Sequence, residues 1–250
     1  MAASVFDSPM FAKSYPTGEA ARLFSDSAAV RAILLVLGSL AEAQGSLGVA
    51  PEDSAFFIHR SSMEVQIDPA GLDVLNDGFA GAVTKAFQKA MEAPEHARFI
   101  QYEVAADQIE AAGLALRLRQ FLTHCSKRLQ ETPLEADPLI KRLETVKSET
   151  IGLHLTADQK VAEAVSEALR LQVLSEPMEI SPIAEGAQTI VAFIAQSAPD
   201  DLRLQQLDTF AKALAQALKD NPRSMAPLCL PQLCLSAAAA LELVAGPSQA

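Results

Sequence analysis

"VAADQIEAAGLALRLRQFLTHCSKRLQE" occupies residues 104–131. Ile109, Leu114, Leu116, Leu118, Phe121, Leu122 and Leu129 supply its apolar positions, with Arg117, Arg119, Lys127 and Arg128 between them. No proline interrupts the run, so the spacing predicts one long helix. Apolar side chains on a helix of that length need other helices to cover them. The rest of the chain supplies them: Ala and Leu are abundant, aromatics few and Trp absent. That composition favours helices packed on helices over sheets.

Working outward, Ser25, Asp26 and Ser27 are candidate N-caps for a helix carrying Ile33, Leu34, Leu37, Leu40 and Ala41, since their side-chain oxygens accept bonds from free backbone N–H groups. Gly45 and Gly48 mark its end. Shorter helices are expected over about 53–62, from Asp68-Pro69, and up to Pro94, with Gly78 and Gly81 as breaks. Beyond Pro133, helices are expected over about 138–148, from Thr156 to before Pro177, and from Pro182 to about Ser197. Another begins at Asp200-Asp201, with the seam Leu204, Leu207, Phe210, Leu214 and Leu218, and ends at Asn221-Pro222. A final helix is expected after Pro231, and residues 1–24 read as irregular. No strand-like alternation is evident. The chain reads as all-α, with an N-terminal helical region (1–100) and a bundle region (101–250) in one continuous domain.

The net charge of −11 argues against a nucleic-acid partner, because phosphate backbones repel an acidic surface. Three cysteines, Cys125, Cys229 and Cys234, show no framework spacing and read as reduced thiols in the cytoplasm. The opening "MAASVFDSPMF" lacks the basic-then-apolar pattern of a signal peptide. Residues 226–246 are long enough to span a bilayer. Pro231, Gln232 and Glu242 interrupt them, so they are read as a buried bundle helix and no membrane partner is expected.

Several segments together resemble one family. Residues 17–55, "TGEAARLFSDSAAVRAILLVLGSLAEAQGSLGVAPEDSA", are similar to the opening of the 3-carboxy-cis,cis-muconate cycloisomerases, in the aspartase/fumarase/adenylosuccinate lyase superfamily. The likeness lies in Phe-Ser-Asp before the helix, Leu-Ala-x-Ala-Gln near its end and the Leu-Gly-Val that follows. Residues 67–91, the long helix, and the segments "EGAQTIVAFIAQ" (185–196) and "MAPLCLPQLCLSAAAAL" (225–241) extend it. The resemblance implies a shortened fumarase/aspartase-like helical bundle. It also implies assembly as a tetramer, with active sites shared by three subunits.

Family members carry His-x-Gly-Ala-Thr-Ser-Gln-Asp, whose hydroxyls bind substrate carboxylate. Here positions 101–108 read Gln101, Tyr102, Glu103, Val104, Ala105, Ala106, Asp107 and Gln108. Alanines donate no hydrogen bond, and Glu103 adds a charge of the same sign as a polyanionic substrate. A second motif, Gly-Ser-Ser-x-Met-Pro-x-Lys-x-Asn-Pro, should fall within 174–191. There Ser181-Pro182 stands for Asn-Pro, and Glu179 falls at the lysine. The chain is shorter than active relatives between about 130 and 180, and Leu37 stands where they usually carry Glu.

Other candidates have plain readings. Ser61-Ser62-Met63, near His59, lacks the glycines, proline and lysine of the mobile loop and reads as a helix end. "GFAGAVTK" (78–85) lacks phosphate-loop spacing. Arg117, Arg119, Lys127 and Arg128 suit acid–base pairing better than an anion site. His59, His96, His124 and His154 are scattered, so no metal or other cofactor is expected.

Three functions stay open. One is a degenerate cycloisomerase acting through a homo-oligomer, a helical partner, or a small carboxylate bound without turnover. A second is an active cycloisomerase or related lyase with a rebuilt site, for which Asp107, Glu110 and His124 are the titratable candidates. The third is a purely structural helical protein.

Overall fold

The computed structural model describes residues 4–246. The first three residues of the opening stretch lie outside them. In chain order the elements are α1 (Ala20–Leu23), α2 (Asp26–Ser46), α3 (Glu52–Glu64), a 3₁₀ turn (Pro69–Gly71), α4 (Val74–Asp77), α5 (Phe79–Met91), α6 (Pro94–Ala97) and α7 (Ala106–Gln130). There follow α8 (Asp137–Thr150), β1 (Gly152–Leu153), α9 (Gln159–Leu169), β2 (Gln172–Val173), α10 (Ser181–Ser197), α11 (Leu202–Asp220) and α12 (Pro222–Ala245). The chain divides into two compact units, neither continuous in sequence.

One unit comprises Ser25–Leu118 and Ile151–Met178. Its centre is α2. Ser25 caps that helix, its hydroxyl accepting from Ala28 N–H at 3.2 Å. Val30, Ile33, Leu34, Leu37 and Leu40 are buried, and α2 packs against α3, α5 and α9. Leu37, at the position where relatives usually carry Glu, is fully enclosed. On α3, Ala55, Ile58 and Ser62 face inward at helical spacing. On α5 the buried set is Ala80, Val83, Thr84, Phe87 and Met91. The helix expected at Asp68-Pro69 is instead a single 3₁₀ turn capped by Asp68, followed by the short α4. A parallel pair of two-residue strands, Gly152↔Gln172 and Leu153↔Val173, corrects the expectation of no strand. Two residues are too few to show period-2 alternation.

The other unit comprises Met1–Phe24, Arg119–Thr150 and Glu179–Ala250. Residues 20–23 form the short helix α1 within a segment read as irregular. Helices α10, α11 and α12 pack mutually, and α8 rests on α10. From Cys229 to Glu242 most of α12 is buried on all sides, and its run Ala237–Ala240 lets neighbouring helices approach closely. This helix begins at Pro222, not after Pro231, with Pro227 and Pro231 inside it. Each proline removes one i→i−4 bond. The carbonyls left free, on Arg223 and Pro227, belong to exposed residues, where water can satisfy them. On α11, Asp201 caps the start and the seam is Leu204, Leu207, Ala211 and Leu218. Phe210, expected in that seam, is 41% exposed. Positions three and four beyond Leu207 both fit helical spacing; packing buries Ala211, and Phe210 lies about 100° round the helix from it.

Two helices, α2 and α12, are long and apolar enough to cross a membrane, and 67% of the most apolar 18 residues of each is buried in the protein. Core helices of soluble proteins have that character.

Candidate functional site

The turn between α6 and α7 stands where the resemblance places its first motif. Gln101 and Glu103 both adopt left-handed backbone, at φ +59° and +56°. Side chains other than glycine disfavour that conformation by about 1 kcal/mol or more. The surroundings impose it. Gln44 of α2, buried, donates from Nε2 to the Tyr102 carbonyl at 2.7 Å. Thr84 of α5 donates its hydroxyl to Gln101 Oε1 at 3.0 Å, and Gln101 Nε2 donates to the Val104 carbonyl at 3.1 Å. Both ends of the Gln101 carboxamide are thus occupied, one by α5 and one within the turn. Phe99 and Tyr102 pack with ring centres 5.6 Å apart.

Glu103 falls at the motif's glycine and keeps the backbone conformation that glycine adopts without strain. Glu103→Gly should therefore stabilise the protein by about 0.5–1 kcal/mol, read as a rise in the urea midpoint. A lowered midpoint would show that the turn is unstrained with glutamate in it.

The sequence-predicted carboxylates act as helix caps. Asp107, in the first turn of α7, accepts from Gln108 N–H at 2.9 Å. Glu110 accepts from Ala80 N–H at 3.5 Å, at the start of α5, where Gly78 has no side chain to cap with. Gln108 accepts from Thr156 through both its backbone N–H (3.3 Å) and its hydroxyl (3.2 Å). Asp107 and Glu110 thus face different backbone partners.

His124 belongs to the other unit. Its Nε2 lies 3.9 Å from Glu242 Oε1 and has no hydrogen-bond partner there. Glu242 in turn meets Arg128, with Nη2 donating to Oε2 at 3.1 Å and Nε lying 3.0 Å from Oε1. Arg128 also donates to the Gly246 carbonyl and pairs with Glu131. Burial lowers the His124 pKa. The Glu242 carboxylate opposes that effect, and Arg128 reinforces it. A group with a depressed folded pKa that is neutral when deprotonated binds protons more readily once unfolded. The stability that neutral His124 confers should be lost as pH falls from the ordinary histidine value of about 6.5 towards the lower folded value. Melting temperatures of wild type and His124→Gln between pH 8 and 5 check this: the variant should show the shallower decline.

Around the second motif, Glu179 is exposed and Ser181-Pro182 opens α10. A cleft of about 510 Å³ beside Ser181 is lined by Glu185, Lys212 and Lys219 among others. Lys212 is paired with Asp208 at 2.5 Å, and Glu185 with Arg142 at 3.4 Å. Ser62, in the Ser-Ser-Met run, is buried and donates to the His59 carbonyl at 2.7 Å. Among the described residues no group of three or more His, Cys, Asp or Glu gathers as metal ligands would. Sequence reasoning missed the supports Gln44, Thr84 and Glu242. Gln44 closes the Leu-Ala-x-Ala-Gln element of the resemblance, and Glu242 gave a signal as a lone carboxylate in an apolar helix that must find a cation.

The helical fold is shared with solved structures of two muconate cycloisomerases and a fumarate lyase. No family model matches the chain, and no curated protein does. Solved structures do. It is similar to beta-carboxy-cis,cis-muconate cycloisomerase from Acinetobacter calcoaceticus, with TM-score 0.84 and 17% identity over 91% of this chain and 74% of that one. A second match is 3-carboxy-cis,cis-muconate lactonizing enzyme from Pseudomonas putida, with TM-score 0.83 and 17% identity over 94% and 75%. A fumarate lyase from a Mesorhizobium species follows, with TM-score 0.73 and 13% identity over 91% and 73%. Identities this low establish the fold, and activity has to be argued from the site.

Proposed function

We propose that this chain is a catalytically degenerate relative of the 3-carboxy-cis,cis-muconate cycloisomerases that acts through association with another helical chain. One observation carries the reading. The turn at 101–108 keeps left-handed backbone at the motif's glycine position, yet presents alanines for the hydroxyls and uses Gln101 to hold itself together. A proton-transfer site needs a titratable group within hydrogen-bond reach of substrate, and Asp107 and Glu110 are engaged in capping.

Association is supported by apolar side chains left in solvent on the unit that carries this turn. Phe56 on α3 is 67% exposed, Leu75 on α4 is 95% exposed, and Met63 is exposed too. Phe56 and Met63, seven residues apart on α3, share one face of that helix, and an apolar stripe left in solvent marks an interaction surface. A small carboxylate held without turnover would find its cation at Lys219 in the cleft beside Ser181.

The test is a spectrophotometric assay with 3-carboxy-cis,cis-muconate, following loss of the diene's ultraviolet absorbance beside an active cycloisomerase. No change above background is expected, and turnover would overturn the degenerate reading. Light scattering should give a mass above the 26.6 kDa monomer. The double variant Phe56→Lys/Leu75→Lys should return it to the monomer, and an unchanged mass would place association elsewhere.

A further inference from the structure

A cavity of about 400 Å³ lies between the amino-terminal segment, α11 and α12, all within one unit. Its volume is within the range of small-molecule sites. Val5, Leu207 and Phe210 give it apolar walls. Phe210 is the residue displaced from the α11 seam by Ala211, so a large ring that the helical pattern would bury forms part of the cavity wall instead.

The polar groups come as two matched pairs. Tyr15 donates its hydroxyl to Gln206 Oε1 at 2.5 Å, and Ser4 donates its hydroxyl to Gln232 Oε1 at 3.0 Å. In each pair the carboxamide oxygen is engaged, which leaves the NH₂ as donor; the Tyr15 hydroxyl oxygen remains as acceptor, whereas Ser4 Oγ already accepts from Phe6 N–H at 3.2 Å. Among the described residues no carboxylate, ammonium or guanidinium lines the cavity. Arg203, a cation close enough to feel the Tyr15 hydroxyl, is committed to Asp201 through bonds of 3.1 and 2.6 Å. A charged ligand entering here would lose water without gaining a counter-charge, which is costly. A neutral one would meet donors, an acceptor and a ring.

We propose that this cavity binds a small uncharged molecule with an aromatic or branched aliphatic body and one hydroxyl or carbonyl group. None of its lining residues belongs to the segments 101–108 or 174–182, so the proposal stands apart from the degenerate-lyase reading. It also predicts selectivity opposite to that of a polycarboxylate site.

The experiment uses three probes with one body and different charge: benzyl alcohol, benzoate and benzylamine. Binding to the full chain is followed by ligand-detected NMR. Benzyl alcohol should bind with a Kd on the order of 1 mM, as suits so few atoms. The two ions should bind at least tenfold more weakly. Gln206 and Phe210 are exposed, so changing them spares the core. Phe210→Ala should weaken benzyl alcohol severalfold. The isosteric Gln206→Glu should weaken it too while strengthening benzylamine about tenfold. Equal binding of all three probes, no binding of benzyl alcohol at 10-fold that Kd, or binding unchanged by both variants would overturn the proposal.

Discussion

Arg128→Met should lower the unfolding free energy by about 3–5 kcal/mol, the loss seen when one partner of a buried ion pair is removed. Arg128 is 4% exposed and Glu242 5%. The guanidinium faces the carboxylate through two nitrogens and also satisfies the Gly246 carbonyl, so it ties α7 to the end of α12. Methionine fills similar space but leaves Glu242 as an enclosed anion without a cation. His124, 3.9 Å away, is then the titratable group that faces it. The loss should therefore be greatest above neutral pH and shrink in mild acid, where His124, no longer opposed by the Arg128 charge, takes up a proton beside the carboxylate. Arg128→Met/Glu242→Met should recover most of the loss, since desolvation of the two ions offsets much of their attraction. Urea titrations of the two variants at pH 6 and 8 decide it. A double variant as unstable as the single one would mean the pair itself, and not the orphaned carboxylate, carries the stability. Glu131→Gln should cost less than about 1 kcal/mol, because that carboxylate is 41% exposed.

What can be read from the sequence follows from where the physics is local. Ser25, Asp68 and Asp201 are recognisable as caps and serve as caps, because capping joins a side chain to a backbone group two or three residues on. The long helix after residue 104 is legible from an unbroken apolar pattern. Local rules fail at Pro231, where exposure makes the lost hydrogen bond tolerable, and at Phe210, where period alone does not separate it from Ala211. At the site, loss of the hydroxyls is plain from the letters. That Gln44 and Thr84 hold the turn is not, since they lie 58 and 17 residues from their partners. Such pairings depend on how helices pack, which no short window of sequence records.

Gly38→Ala should cost about 2–3 kcal/mol, although alanine is the better helix former by about 1 kcal/mol. The reason is the closeness of α2 and α3. A Cβ on Gly38 would lie 2.1 Å from Ser62 Oγ and 2.9 Å from Ser62 Cβ, distances that real atoms do not tolerate. Ser62 has little room to turn away. It is fully buried, its hydroxyl donates to the His59 carbonyl at 2.7 Å, and its own carbonyl accepts from Arg31 Nη1 at 2.6 Å. Two turns along, a Cβ on Gly45 would come within 2.3 Å of Ala55 Cβ, so the helices cannot pivot about one end to make space. Gly38→Ala/Ser62→Ala removes the hydroxyl but keeps the Cβ contact, and should recover only part of the loss. Chemical denaturation orders the three proteins. If Gly38→Ala were as stable as wild type, α2 and α3 would have to stand farther apart.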